Sequence, residues 1–401
     1  MTLLPSIVEQ AKQFQTLRKD LHAHPELCYQ EHRTAQIVLD QLTSMGIETH
    51  SEIGVTGVVG VINGQQPGAG IALRADMDAL PLDEHNDFSH ASIYAGKMHA
   101  CGHDGHTATL LAAASYLAKN RDFCGTVYLI FQPAEEGGAG AQAMIDDGLF
   151  ERFAIDEIYG YHNWPGYEQG MVGLTAGAMM ASASEFEIKV VGKGAHAAMP
   201  HLGADPLLVS CQLVQALQSI VTRSINPQES VVLSVTKIHC GDATNIIADD
   251  CTIEGTVRCF SEGALQLIEE RMGKICLDLC AAFECEGLLN FKRSYPATIN
   301  HKAQVEFVRE VAEDLLGTDQ VVPFTPTMGS EDFSFYLLQK PGCYFVIGNG
   351  LGGHRDQGHG IGPCMLHNPS YDFNDVLIPI GASLWVKLVE ARLGADGISQ
   401  K

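Results

Sequence analysis

The sequence predicts an α/β protein with a smaller α+β domain inserted into it. Three observations predict this. Short runs rich in valine and isoleucine alternate with helical patterns on both flanks of the chain. A central stretch changes rhythm and reads β-α-β-β-α-β. And 401 residues are too many for one simple core, fitting about two or three domains.

The elements follow in order. Ile7, Ala11, Phe14 and Leu17 recur at helical spacing. Apolar strands are expected near Val58, Leu73, Leu129, Ile158 and Phe345. "TATLLAAASYLAKN" is small and apolar all round, as a buried helix is. In the middle, "EFEIKVVGKG" alternates with period two and reads as a half-exposed strand. A helix from Asp205 to about Thr222 follows, with Leu207, Cys211, Val214, Leu217 and Val221 on one face and Asp205 and Pro206 at its start. Two strands come next, "SVVLSVTKIHC" and "CTIEGTVRCF". A second helix, Leu265 to Phe283, carries Ile268, Met272, Ile275 and Leu279 on one face, and a short strand near Leu289 ends the insert. The flanking pattern then resumes, with helices after Asn300 and from about Asp375 to Leu393. The expected domains are 1–182 with 295–401, and 183–294.

Composition narrows the function. With 48 acidic and 25 basic residues the formal net charge is -23, which disfavours nucleic acid and anionic membranes as partners. No run approaches the roughly 18 apolar residues of a membrane helix. The N-terminal stretch lacks a basic start followed by an apolar run, so a cytoplasmic protein is expected. The twelve cysteines have no CxxC spacing and read mostly as reduced core thiols, Cys211, Cys276 and Cys280 among them.

The polar clusters fall at expected strand ends of the flanking halves, where open sheets bind ligands. "HACGHDGH" runs from His99 to His106, just ahead of a helix expected to begin near Thr107. Cys101 and His103, one glycine apart, suit zinc and other late transition metals. His99, Asp104 and His106 are candidates for outer support, turn formation or a helix cap. A thiol nucleophile at Cys101 is the rival reading, and it would need a base and an orienter. Asp76 and Asp78 in "ALRADMDALP" are either turn aspartates or support for metal ligands. "QPAEEGGAGA" sets Glu135 and Glu136 after a strand; one can bind a metal while the other acts as base toward a water. His162 and His367 add two imidazoles. Each alone reads as structural; the set of one thiolate, three imidazoles and a carboxylate reads as a metal site.

"LHAHPEL", "RADMDALP", "HACGHDGH", "QPAEEGGAGA", "YHNWPG", "GKGAHAAMPH", "GSEDFSF" and "LHNPSYDFND" occur together and in order. The set resembles the di-metal N-acyl-amino-acid amidohydrolases, which include hippurate and auxin-conjugate hydrolases, within the aminoacylase–carboxypeptidase metallopeptidase family. The resemblance spans His22 to Asp375. It implies a zinc-peptidase-like three-layer catalytic domain and a ferredoxin-like lid that forms a homodimer or larger homo-oligomer. It implies two divalent ions per subunit, zinc or manganese, nickel or cobalt, held by Cys101, His103, Glu136, His162 and His367. It makes Glu135 the catalytic base and leaves Asp76 and Asp78 behind the ligands. His196 matches an oxyanion-stabilising lid histidine that reaches a neighbouring subunit. Asn245 and Arg258 match contacts to the substrate carboxylate. The expected substrate is a small N-acyl amino acid, cleaved at its amide bond.

Rival readings share much of the site. One is a deacetylase of an N-acetyl diamino acid, or a carboxypeptidase or dipeptidase. Another is a catalytically silent metal-binding protein, which would be expected to lack the base or a ligand. A thiol-redox protein would need a second cysteine near Cys101. Met179, Met180 and Phe333 suit an apolar pocket or plain core packing.

Overall fold

The large unit is built on an eight-stranded mixed sheet, and its parallel strands end where the polar motifs begin. In the computed structural model, residues 2–355 and 358–394 are described. They divide into two compact units. The large one comprises the chain up to Gly177, Ile299–Thr325 and the chain from Asp332; the small one comprises Ala178–Thr298 and Pro326–Glu331.

The large unit opens with helices α1 (Pro5–Ala23) and α2 (His32–Ser44). Strands β1 (Glu48–Ile53), β2 (Gly57–Asn63) and β3 (Gln66–Asp76) follow, then helix α3 (His103–Leu117) and strands β4 (Cys124–Gln132), β5 (Glu157–Pro165) and β6 (Val172–Leu174). Strands Val321–Pro323 and Gly342–Gly350 complete the sheet, whose order is β1, β2, β4, β3, β5, Gly342–Gly350, β6, Val321–Pro323. β4, β3, β5 and Gly342–Gly350 run parallel. Every residue of Gly342–Gly350 is buried, as a strand covered on both faces must be.

Helix α3 is buried at every residue except Tyr116, so its small side chains are a packing requirement. It starts at His103 and not near Thr107. Gly102 makes the early start possible by taking a left-handed conformation, φ 91°. A Cβ there would lie 2.4 Å from both the Asn163 amide and the Tyr371 hydroxyl.

The buried stripe of α1 is not purely apolar. Ile7, Ala11 and Phe14 continue into Arg18 and His22, both fully buried. Arg18 donates to Asp372 at 3.0 Å and to Asp375 at 2.8 Å, and lies 3.5 Å from Asp104. His22 sits between Asp104 at 2.9 Å and Glu84 at 3.1 Å. Burial alone would lower the His22 pKa; the two carboxylates overcome it and raise the ring to about 10. The carboxyls of Asp104 and Asp372 move the other way. Burial would raise them, but His22 at Asp104, and Arg18 at Asp372, hold them below the usual range.

The small unit is an antiparallel sheet in the order Val231–His239, Asp250–Cys259, Ala183–Val191, Glu286–Tyr295. This is the split-βαβ arrangement. Its helices Pro206–Ser219 and Glu262–Ala282 bring Leu213, Leu217, Ile268 and Met272 against Ile188 and Ile253. The Asp205 carboxylate caps the first helix by accepting from the Leu207 and Leu208 amides. The expected face holds at Leu217, Val214 and Val221, which lie in or against the core, and fails at Leu207 and Cys211. Val209, Leu213 and Leu217 are buried, while Leu207 is 48% exposed and Cys211 is exposed. Apolar residues lie on both sides of this helix, so periodicity alone could not select the core side. Cys276 and Cys280 do lie in the core. The last strand, near Leu289, is ten residues long and not short. Pro326–Glu331 joins this unit because the Ala181 amide donates to Thr327 and Gly329 carbonyls.

Arg18→Met should cost about 3–5 kcal/mol, because it leaves Asp104 and Asp372 buried beside less positive charge. Urea unfolding checks this; an unshifted midpoint would remove the network from the fold's supports. Carboxyls with lowered native pKa stabilise fully above their unfolded value of about 3.9. That stability is lost as pH falls below it. Acid sensitivity should therefore be blunted in Arg18→Met.

Candidate metal centre

Three neighbouring strand ends supply the site. β3 ends at Asp76, with Asp78 two residues on; β4 leads into Glu135 and Glu136; His162 lies near the end of β5. Cys101 and His103 flank Gly102 at the start of α3. His367 is in the left-handed region, φ 59°, and its amide donates to the Ala100 carbonyl at 2.8 Å.

The side chains converge. Ligand atoms of Cys101, His103 and His162 all lie within 4.8 Å of one another, and so do those of Cys101, Glu136 and His367. Cys101 belongs to both triads. Its sulfur is 3.3 Å from His162 Nε2 and 3.5 Å from His367 Nε2. His367 Nε2 is 3.2 Å from Glu136 Oε1. Glu135 joins a further group with His103 and Glu136.

The second ring nitrogens determine how these imidazoles are presented. His103 Nδ1 bonds Asp78 at 3.2 Å, leaving a buried Nε2 with no hydrogen-bond partner. His162 Nδ1 donates to the Asn163 carbonyl at 2.6 Å, which leaves its Nε2 as the lone-pair nitrogen beside Cys101. His106 differs. Its Nδ1 donates to Asp76 at 2.6 Å and its Nε2 accepts from the Asn163 amide at 3.0 Å. Both nitrogens are used, so His106 orients its neighbours rather than offering a free lone pair.

The electrostatics fit a bound cation. Burial, with Glu136, Glu135 and Asp76 nearby, pushes the Cys101 thiol well above its usual range. Burial would lower the His103 pKa, yet the Asp76 charge and the Asp78 hydrogen bond raise it to about 10. Burial and His106 hold His162 well below its usual value, hence neutral. A neutral imidazole, a thiol among carboxylates and an orphaned buried nitrogen form a donor set suited to divalent metal ions. A bound cation would favour the Cys101 thiolate.

Asp78 and Asp76 hold this arrangement. Asp78 also accepts the Glu136 amide at 2.8 Å. Asp76 accepts from Arg74 at 2.6 Å; the same buried guanidinium reaches Gln132 and Asp332. Asn163 donates to the Cys101 carbonyl at 2.6 Å and accepts from the Tyr371 hydroxyl at 2.7 Å. Glu31, fully buried, accepts from the Ala134 amide at 2.8 Å where the chain turns with φ 54°. Arg74, Asn163, Tyr371 and Glu31 went unassigned in the sequence. The one available signal was a charged Arg74 inside the apolar run "GIALRAD".

The remaining candidates, Phe333 apart, belong to the small unit. His196 is exposed on a two-residue strand, Ala195–His196, within the small unit. Asn245 there is exposed, with its carbonyl accepting from Ala197 at 3.0 Å. Arg258 is half-buried and donates to Ser330 at 2.9 Å. Met179, Met180 and Phe333 are buried; Phe333 packs against Tyr336 and Tyr344. Core packing accounts for them.

Asp78→Asn should weaken metal binding about 10–100-fold by disturbing both His103 and the Glu136 amide. Zinc titration of the apoprotein checks this, and unchanged affinity would show that Asp78 does not organise the site.

A profile of peptidase family M20/M25/M40 matches residues 72–391. Hippurate hydrolase of Campylobacter jejuni is 42% identical, covering 97% of this chain and 98% of its own. An IAA-amino acid hydrolase of Arabidopsis thaliana is 38% identical, covering 94% and 85%. Among solved structures, a dinuclear metal-binding peptidase of the M20 family from Bacillus subtilis aligns with a TM-score of 0.83 at 31% identity, covering 96% of this chain and 99% of that one. The motif resemblance holds over nearly the whole chain: it belongs to peptidase family M20/M25/M40 and is an amide-cleaving hydrolase.

Proposed function

We propose that this enzyme hydrolyses N-acyl amino acids to a carboxylic acid and a free amino acid, using two divalent metal ions. The observation that carries the reading is the sharing of Cys101 between two ligand triads, one with His103 and His162 and one with Glu136 and His367. Zinc suits the thiolate, and manganese, nickel or cobalt suit the remaining donors. When bound, the ions supply Lewis acidity to the amide carbonyl and to the attacking water.

The chain's own groups do the rest. Glu135 takes a proton from the water and returns it to the departing amine. Its neighbour Glu136 is occupied as a ligand, so the two adjacent carboxylates divide the work. Asp76 and Asp78 keep the histidines oriented. His196 serves as the oxyanion donor. Its Nδ1 accepts from the Ala198 amide at 3.1 Å, which leaves Nε2 as the nitrogen that donates. Asn245 and Arg258 take the substrate carboxylate.

In this reading residues 1–182 and 295–401 form the catalytic domain, and 183–294 a lid that dimerises. Half-exposed Leu207 and Leu208, and outer sheet strands with open edges among the described residues, support self-association. Twelve free cysteines suit the reducing cytoplasm. No helix among the described residues is long and apolar enough to cross a membrane.

Glu135→Gln should keep its metal and lose about 10²–10⁴-fold in turnover. Cys101→Ser, correctly folded, should lose bound metal, as measured by elemental analysis. Full activity in the first or full metal content in the second would remove that residue from its role. A panel of hippurate, N-acetyl amino acids, N-acetyl diamino acids, auxin conjugates and dipeptides on metal-loaded enzyme tests the substrate class. Turnover confined to dipeptides or diamino acids would overturn it.

A further inference from the structure

Two of the free cysteines stand where the ladder between neighbouring strands of the small unit ends. The ladder between Val231–His239 and Asp250–Cys259 ends with His239 opposite Thr252. One residue further along each chain stand Cys240, which directly follows the first strand, and Cys251, within the second, so continuing the register sets them opposite each other. Opposed residues in such a ladder have Cα atoms about 4.5–5.5 Å apart. Disulfides span about 4.4–6.8 Å.

The side chains share a face as well. Cys251 is fully buried in the small unit's core, and half-buried Cys240 packs against the same core. Cys240 Sγ lies 3.4 Å from the carbonyl of Asp250, the residue next to Cys251. Cys285 also lies close to Cys280, whereas Cys276 and Cys280 sit on one helix. Helical geometry holds such residues about 5–6 Å apart at Cβ. A disulfide needs about 3.5–4.5 Å.

We propose that Cys240 and Cys251 form an oxidation site that closes a reversible intrachain disulfide. The bond would tie the neck of the loop between them. That loop carries Asn245 and the strand Ile246–Ile247, which pairs with Ala195–His196. Asp249 of the same loop accepts from the Gly194 amide at 2.8 Å. Any effect on catalysis therefore rests on the roles proposed above for Asn245 and His196; the bond itself does not.

The oxidant is a peroxide. The two thiols give up two protons and two electrons, the S–S bond forms, the O–O bond breaks, and two waters leave when hydrogen peroxide is used. A dithiol reverses it. Burial, Cys251, Asp205 and Asp250 together push the Cys240 thiol up to about 12. Thiolate is the reactive form, so closure is slow at neutral pH and rises about tenfold per pH unit.

The test treats metal-loaded enzyme with hydrogen peroxide at pH 7 and pH 8, followed by alkylation and non-reducing peptide mapping. A peptide pair joined through Cys240 and Cys251, formed faster at pH 8 and reopened by dithiothreitol, is the expected result. A several-fold rise in KM should accompany it in wild type and be absent in Cys240→Ser. Oxidation of Cys101 would affect both proteins equally. Both cysteines alkylated after treatment, or either joined to a different cysteine, would overturn the site. A linked pair with unchanged KM would support the site and overturn the substrate roles of Asn245 and His196.

Discussion

The Asp78 carboxylate joins two segments that lie 25 and 58 residues further along the chain. One oxygen holds His103 Nδ1 and the other the Glu136 amide. His103 and Glu136 belong to different triads, and Cys101 belongs to both. The geometry of the paired site thus depends on one buried anion that directs a ring and a loop together. Both oxygens of this one group are used, so neither His103 nor the Glu136 loop can move without the other.

The opposite side of α3 meets a matching constraint. Asp104 follows His103 and faces Arg18 and His22. The start of α3 is therefore gripped from both sides, by the Cys101–His103 cluster and its carboxylates on one and the α1 cations on the other. Buried ion pairs add little net stability but are costly to break. Their value here is positional. Gly102 supplies the turn between Cys101 and His103, and its missing Cβ leaves room for the Asn163 amide and the Tyr371 hydroxyl. Local backbone, buried charge and packing all specify one placement of these two residues.

Much of this was legible in the sequence. The alternation of apolar strands and helices, the split-βαβ insert and the placement of Cys101, His103, Glu136, His162 and His367 at strand ends, a helix start and a loop depend on local pattern, which periodicity and turn chemistry report. Illegible were the exposure of Leu207 and Cys211 on the Pro206–Ser219 helix, the early start of α3, and the supporting residues Arg74, Asn163, Tyr371 and Glu31. Each of these is decided by partners distant in sequence. Asn163, for example, accepts from a hydroxyl 208 residues away.

The sequence by itself determined the fold class, the family and the chemical character of the site, because hydrophobic period and metal-donor residue types are properties of short segments. Only the tertiary structure decided which histidine nitrogens are free. His103, His106 and His162 look alike in the sequence. Long-range partners leave His103 Nε2 without a hydrogen bond, 3.7 Å from Asp76, set His162 Nε2 beside the Cys101 sulfur, and occupy both nitrogens of His106. The physical reason is that an imidazole has one lone pair to offer, and a hydrogen bond to its other nitrogen decides where that lone pair points.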